Sequence, residues 1–124
     1  MYGVTVRQHF DAAHYLRDYH GRCENLHGHR YEVTVTVASR DLDSTGLAFD
    51  FTRLKAVLKE RFLARYDHVC LNDVAPFTEI NPSAENIART IYQGLRASLD
   101  ASPAALKNVT VWESPDSWAT YYED

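Results

Sequence analysis

Val4, Val6, Phe10 and Ala12, with Gln8 among them, fall on one parity, so residues 3–13 predict a long strand. His27, His29, Tyr31, Val33, Val35 and Val37 share a parity in the same way and predict a second strand, ending near residue 39. Between them, the polar and charged stretch 16–25 around Gly21 predicts a loop, and Asp41-Leu42-Asp43-Ser44-Thr45-Gly46 predicts a turn. The period then changes. Phe51, Leu54, Leu58 and Phe62 recur every three or four residues, which predicts a helix over residues 52–66 with Asp50 or Thr52 as its N-cap. A loop carrying Asn72-Asp73 and Pro76 leads to Asn81-Pro82-Ser83. Ser83 is positioned to cap a second helix with the stripe Ile87, Ile91, Leu95 and Leu99, and Ser102-Pro103 marks the break after it. Residues 107–113, with Val109 and Val111 on one face, predict a third strand. A short fourth strand over 119–123 follows the Ser114-Pro115-Asp116 turn. The order β-β-α-α-β-β predicts an α+β fold, a sheet covered on one face by two helices.

The length of 124 residues makes residues 1–124 one domain, and 45% hydrophobic with 24% charged residues suits an ordinary globular core. A net charge of −4 argues against a nucleic-acid or anionic-membrane partner, which would favour a basic surface. The first residues, Met1-Tyr2-Gly3-Val4-Thr5-Val6-Arg7, have neither the charged nor the apolar segment of a signal peptide. No apolar run approaches the roughly 20 residues of a membrane span. Cys23 and Cys70 make no disulfide framework, so cytoplasm is the expected location; a single bridge between them is the lesser alternative.

Candidate chemistry changes this picture most. His27 and His29 project from one face of a strand, and His14 lies a short loop away. Three imidazoles can hold one zinc ion and leave the fourth tetrahedral position open, the arrangement of a catalytic zinc; the alternative is three unrelated polar residues. Cys23 keeps three readings: buried apolar residue, fourth ligand, or nucleophile or base with its thiolate favoured by a nearby cation. Asp67-His68 is either an exposed pair or a carboxylate-oriented acid–base imidazole. Glu113 continues the parity of Val109 and Val111 toward the covered face, where a carboxylate needs a cation or paired donors. A planar N–H/NH₂ edge of a guanidine-like heterocycle would supply those donors. A salt bridge to an arginine, or a strand end already in solvent, are the alternatives. Glu85 in the first turn of the second helix can simply favour the helix dipole.

Phe10-Asp11-Ala12-Ala13-His14, Cys23-x₃-His27-Gly28-His29, Asp67-His68 and Asn81-Pro82-Ser83-Ala84-Glu85-Asn86 occur in this order, followed by Val111-Trp112-Glu113. Together they resemble the 6-pyruvoyltetrahydropterin synthase superfamily, over about residues 3–122. More narrowly they resemble its bacterial 6-carboxy-5,6,7,8-tetrahydropterin synthase branch of queuosine (deazapurine) biosynthesis. The resemblance implies the tunnelling fold: a four-stranded antiparallel sheet with two helices on one side. Trimers of that fold close a twelve-stranded barrel and stack as a homo-hexamer, a dimer of trimers, with active sites at subunit interfaces.

It also implies roles. His14, His27 and His29 would bind Zn²⁺, Cys23 would be the general base, and Asp67 with His68 would relay protons. Glu113 would anchor the pterin, and Glu85 with Ser83 would help to define its pocket. The family often has Thr where this chain has Ser83 and Ala84, and Ala84 cannot offer a hydroxyl. The implied activity is that of a lyase, converting 7,8-dihydroneopterin triphosphate to 6-carboxytetrahydropterin, acetaldehyde and triphosphate. Arg17, Arg22, Arg30 and Lys55 are candidates for the triphosphate, with no spacing to choose among them. The rival readings are a 6-pyruvoyltetrahydropterin synthase on the same substrate, zinc-water hydrolysis, and a zinc-stabilised assembly module without catalysis.

Overall fold

The alternation in the second strand produces the centre of the core: Tyr31, Val33, Val35 and Val37 are each at most 1% exposed. The computed structural model describes residues 1–99 and 103–123. Four strands, β1 (Tyr2–His14), β2 (His27–Ser39), β3 (Ala105–Ser114) and β4 (Ser117–Tyr121), form one antiparallel sheet in sequence order. β1 and β2 pair over their whole length, from Tyr2 opposite Ser39 to His14 opposite His27. The register brings the end of one motif against the start of the next.

The first helix spans residues 51–66 and begins at Asp50, whose carboxylate accepts the Thr52 N–H at 2.8 Å. Its turns are not uniform. An α-helix over Phe51–Leu58 gives way to a π-helical stretch, Lys59–Leu63, and a last α turn, Ala64–Tyr66. The buried residues Leu54, Leu58, Phe62 and Tyr66 are spaced by four. Such a row drifts by about 40° per step around an α-helix, and a wider turn takes up that drift. Phe51, expected in this stripe, is instead 54% exposed, because it stands at the first position, before the helix reaches the sheet.

The second helix, Ala84–Leu99, buries Ile87, Ile91, Leu95 and Leu99. Ser83 Oγ accepts the Asn86 N–H at 3.1 Å, the expected cap. A β-carbon at Gly94 would lie 2.3 Å from Phe62 Cζ, so the close approach of the two helices requires glycine there. Both helices pack on one face of the sheet, where Phe10 stacks on Tyr31 with centroids 4.8 Å apart. The serine of the expected Ser102-Pro103 break lies outside the described residues. The fourth strand starts two residues earlier than expected: Ser114 pairs with Ser117, and Trp112 with Trp118, across a tight hairpin. Trp118 earns its place in the strand by packing on Trp112 at 4.2 Å, a cross-strand contact that local sequence does not announce. Among the described residues, no helix is long and apolar enough to cross a membrane.

Candidate metal centre and its surroundings

Register and parity together bring the three histidines into contact. His14 ends β1, His27 opens β2 directly opposite it, and His29 faces the same side. Their ring centroids lie 4.5, 5.1 and 4.8 Å apart, and one nitrogen from each falls within 4.8 Å of the others. Main-chain carbonyls fix two tautomers. His14 Nδ1–H donates to Pro82 O at 2.7 Å, and His27 Nδ1–H donates to Asn25 O at 2.7 Å. The two Nε2 atoms, each left with its lone pair outward, then face one another at 3.0 Å.

Lone pairs so placed repel unless a positive centre lies between them. Two imidazoles bound tetrahedrally at 2.0–2.1 Å hold their nitrogens about 3.3 Å apart, close to this spacing. His29 Nε2 is buried with no hydrogen-bond partner. Burial holds His14 and His29 below the usual histidine range, with the neighbouring imidazoles adding to the effect, so the rings are neutral and ready to donate electron pairs. Tyr31 packs against the His14 and His29 rings, and burial pushes its hydroxyl far above the ordinary phenol value. The donor set and the orphaned nitrogen fit a divalent cation such as zinc.

Glu113 joins this group. It occupies the irregular position of β3 between Trp112 and Ser114, and its carboxylate oxygens stand 3.9 Å from His14 Nε2 and 3.9 Å from His29 Nε2. Among the described residues no arginine pairs with it. Glu113, Glu85, Ala84, Ser117, Trp118 and Ala119 line a hollow of about 170 Å³ beside the histidines. Ser83 is occupied as the helix cap and does not line that hollow.

Cys23 sits in the short turn Arg22–Glu24, held by its carbonyl, which accepts the Leu16 N–H at 2.7 Å. Its thiol is free, as is that of Cys70, so the two form no bridge. Cys23 also stands outside the 4.8 Å group of the histidines. Asp67 and His68 form a separate cluster. His68 Nδ1 lies 3.0 Å from Asp67 Oδ2, and the His68 side chain is 78% exposed. The segment runs beside β1: Asp11 N–H donates to Asp67 Oδ1 at 2.9 Å, Asp11 O accepts the His68 N–H at 2.6 Å, and Ala13 N–H donates to Val69 O at 3.0 Å. His68 adopts a left-handed φ of 60°, a conformation uncommon for a residue with a side chain. Asp11 has the opposite parity to His14, so this cluster forms on the sheet face away from the helices. An open hollow of about 540 Å³ lies between Asp11, Gly28, His29, Arg30, His68 and Cys70.

Two of the candidate triphosphate cations are otherwise engaged. Arg17 donates to Phe77 O at 2.9 Å and Ile80 O at 3.3 Å, bracing the loop ahead of the second helix. Arg30 is bound to Asp11. Lys55 borders a cavity of about 680 Å³ with Arg7, His9, Lys59 and Asp67.

Comparison with known proteins follows the same lines. Residues 3–124 match the family model described as 6-pyruvoyl tetrahydropterin synthase. The chain is 37% identical to the 6-carboxy-5,6,7,8-tetrahydropterin synthase of Bacillus subtilis (strain 168), over 91% of this chain and 80% of that protein. It is 30% identical to the 6-pyruvoyl tetrahydrobiopterin synthase of Drosophila melanogaster, over 95% of this chain and 77% of that one. The structure of Caenorhabditis elegans 6-pyruvoyl tetrahydropterin synthase superposes with a TM-score of 0.82 at 28% identity, covering 100% of this chain and 98% of that one.

Proposed function

The chain belongs to the 6-pyruvoyl tetrahydropterin synthase family, and on that footing we propose that it is a 6-carboxy-5,6,7,8-tetrahydropterin synthase. Its substrates are 7,8-dihydroneopterin triphosphate and one water, and its products are 6-carboxytetrahydropterin, acetaldehyde and triphosphate, a step toward queuosine in the cytoplasm. The observation that carries this reading is the three-imidazole cluster with the Glu113 carboxylate 3.9 Å from two of its rings, His14 and His29, in a chain 37% identical to a synthase of that name.

His14, His27 and His29 would hold zinc, which supplies a Lewis acid able to stabilise negative charge developing on an oxygen. Glu113 receives the paired N–H groups of the pterin edge, which places the heterocycle in the hollow shared with Glu85. Ser83 acts on this pocket indirectly, by fixing the start of the helix that carries Glu85. Cys23, as thiolate, takes a proton from the side-chain carbon next to the ring. His68, oriented by Asp67 through its Nδ1, moves protons at the far end of the reacting side chain.

One domain of residues 1–124 working as a homo-hexamer, a dimer of trimers, completes the reading. The position of the Asp67–His68 cluster across β1 from His14 supports it. A substrate seated on one chain's histidines would receive a neighbouring chain's His68. Two free thiols suit a reducing compartment.

The test is the mass of the product formed from dihydroneopterin triphosphate. A carboxypterin with released acetaldehyde is expected. A pyruvoylpterin would reassign the chain within its family, and unchanged substrate would refute the activity.

A further inference from the structure

We propose that Arg30 is a positioning residue for the Asp67–His68 pair, which it serves by clamping the Asp11 carboxylate and so leaving the His68 ring to Asp67 alone. The proposal rests on the reading of His68 as a proton carrier.

Register places the parts. Asp11 and Arg30 are direct cross-strand partners on the sheet face opposite the metal cluster. Arg30 Nε donates to Asp11 Oδ1 at 3.1 Å and Nη2 to Oδ2 at 3.3 Å, so one guanidinium fork occupies both oxygens. The main chain of Asp11 meanwhile supports both members of the pair, donating to Asp67 Oδ1 and accepting the His68 N–H. One residue therefore holds the dyad by its backbone while bringing a second carboxylate close to the same ring. The Asp11 and Asp67 oxygens and the His68 nitrogen all lie within 4.8 Å of one another.

An imidazole offered two carboxylates at that range can be drawn to either. Arg30 weakens the competition by engaging both Asp11 oxygens, one hydrogen bond on each, and by offsetting its charge. It also holds the Asp11 carboxyl below its ordinary range. Screening at this exposed corner weakens the charge effect, but the occupancy of both oxygens is geometric and survives it. The other ionisable groups around the pair are His9, which faces Asp67; Arg7, Lys55 and Lys59, which line a cavity with Asp67; Glu32, which acts on Arg30; and His29 and Cys70, which border the adjoining hollow. Because Arg30 directly follows His29, β2 carries a metal ligand on one face and this clamp on the other.

The test uses Arg30→Gln, Arg30→Lys, Asp11→Asn and the double variant Asp11→Asn/Arg30→Gln, all zinc-loaded. Two readouts are taken: kcat and KM for dihydroneopterin triphosphate across pH, and the nitrogen-15 spectrum of the His68 ring. Arg30→Gln is expected to lower kcat about tenfold with KM little changed. Its His68 spectrum should show mixed tautomers where the wild type shows Nδ1–H alone. Arg30→Lys should fall between the two. Asp11→Asn should keep the wild-type tautomer, and the double variant should recover both readouts, since the competing carboxylate is gone. A double variant no better than Arg30→Gln, or an unaltered His68 spectrum in Arg30→Gln, overturns the proposal. Absence of turnover in the wild type would instead refute the synthase reading, and the His68 spectrum would still decide the role of Arg30.

Discussion

The metal cluster and the Asp67–His68 pair lie near the same end of β1 but are built in opposite ways. His14 is 1% exposed, and two of the three imidazoles are fixed through Nδ1 by main-chain carbonyls. His68 is 78% exposed, on a strained left-handed backbone, and its ring is fixed by a side-chain carboxylate. The difference suits the two tasks proposed for them. Ligands must converge rigidly before a cation arrives, and dry surroundings keep them neutral. A proton carrier, the role proposed for His68, would have to reach a reacting atom and exchange with solvent, and its exposure suits that role.

The largest effect that separates the regions comes from the ligands themselves. His27→Ala or His29→Ala should take bound zinc from about one per chain toward zero and abolish turnover, with the fold kept as judged by circular dichroism. His68→Ala should retain that zinc and lower turnover by about 10²–10⁴, and Cys23→Ala should do likewise. Loss of zinc in either variant would break the division of labour. Full activity in Cys23→Ala would favour a zinc-water hydrolase with a spectator thiol.

A smaller effect reaches the cluster through its support. Ser83 caps the second helix directly after Pro82, whose carbonyl orients His14. Ser83→Ala should cost about 1 kcal/mol in denaturant unfolding and weaken zinc binding, leaving the Asp67–His68 pair untouched. The smallest effect belongs to the exposed region. The Arg30 guanidinium holds Asp11, and the Asp11 N–H holds Asp67, below the ordinary carboxyl value of 3.8. A depressed folded-state value contributes stability above the unfolded value and loses it as pH falls through the folded one. Acid titration of unfolding should therefore show a small loss below about pH 3.8 that Asp11→Asn and Asp67→Asn reduce.

The metal cluster was the more legible of the two regions, for a physical reason. A strand's period of two places His27 and His29 on one face whatever surrounds them, and Glu113 kept its face although the ladder is irregular beside it. The helices were legible from their stripes and caps. What sequence did not reveal depends on pairing between distant segments. The carbonyls of Asn25 and Pro82 have no side-chain signature, and the Asp11–Arg30 fork exists only because β1 and β2 share one register. Arg17 read as a free cation because nothing local shows that its guanidinium is taken up by loop carbonyls at Phe77 and Ile80.

The proposed function depends on pterin chemistry at zinc held by His14, His27 and His29. That chemistry is tested most directly by mass analysis of the product from dihydroneopterin triphosphate, using protein stripped by a chelator and then reloaded to one zinc per chain. The stripped protein should give no product, and the reloaded one 6-carboxytetrahydropterin with acetaldehyde. Undiminished turnover after stripping, or unchanged substrate with zinc bound, would contradict it.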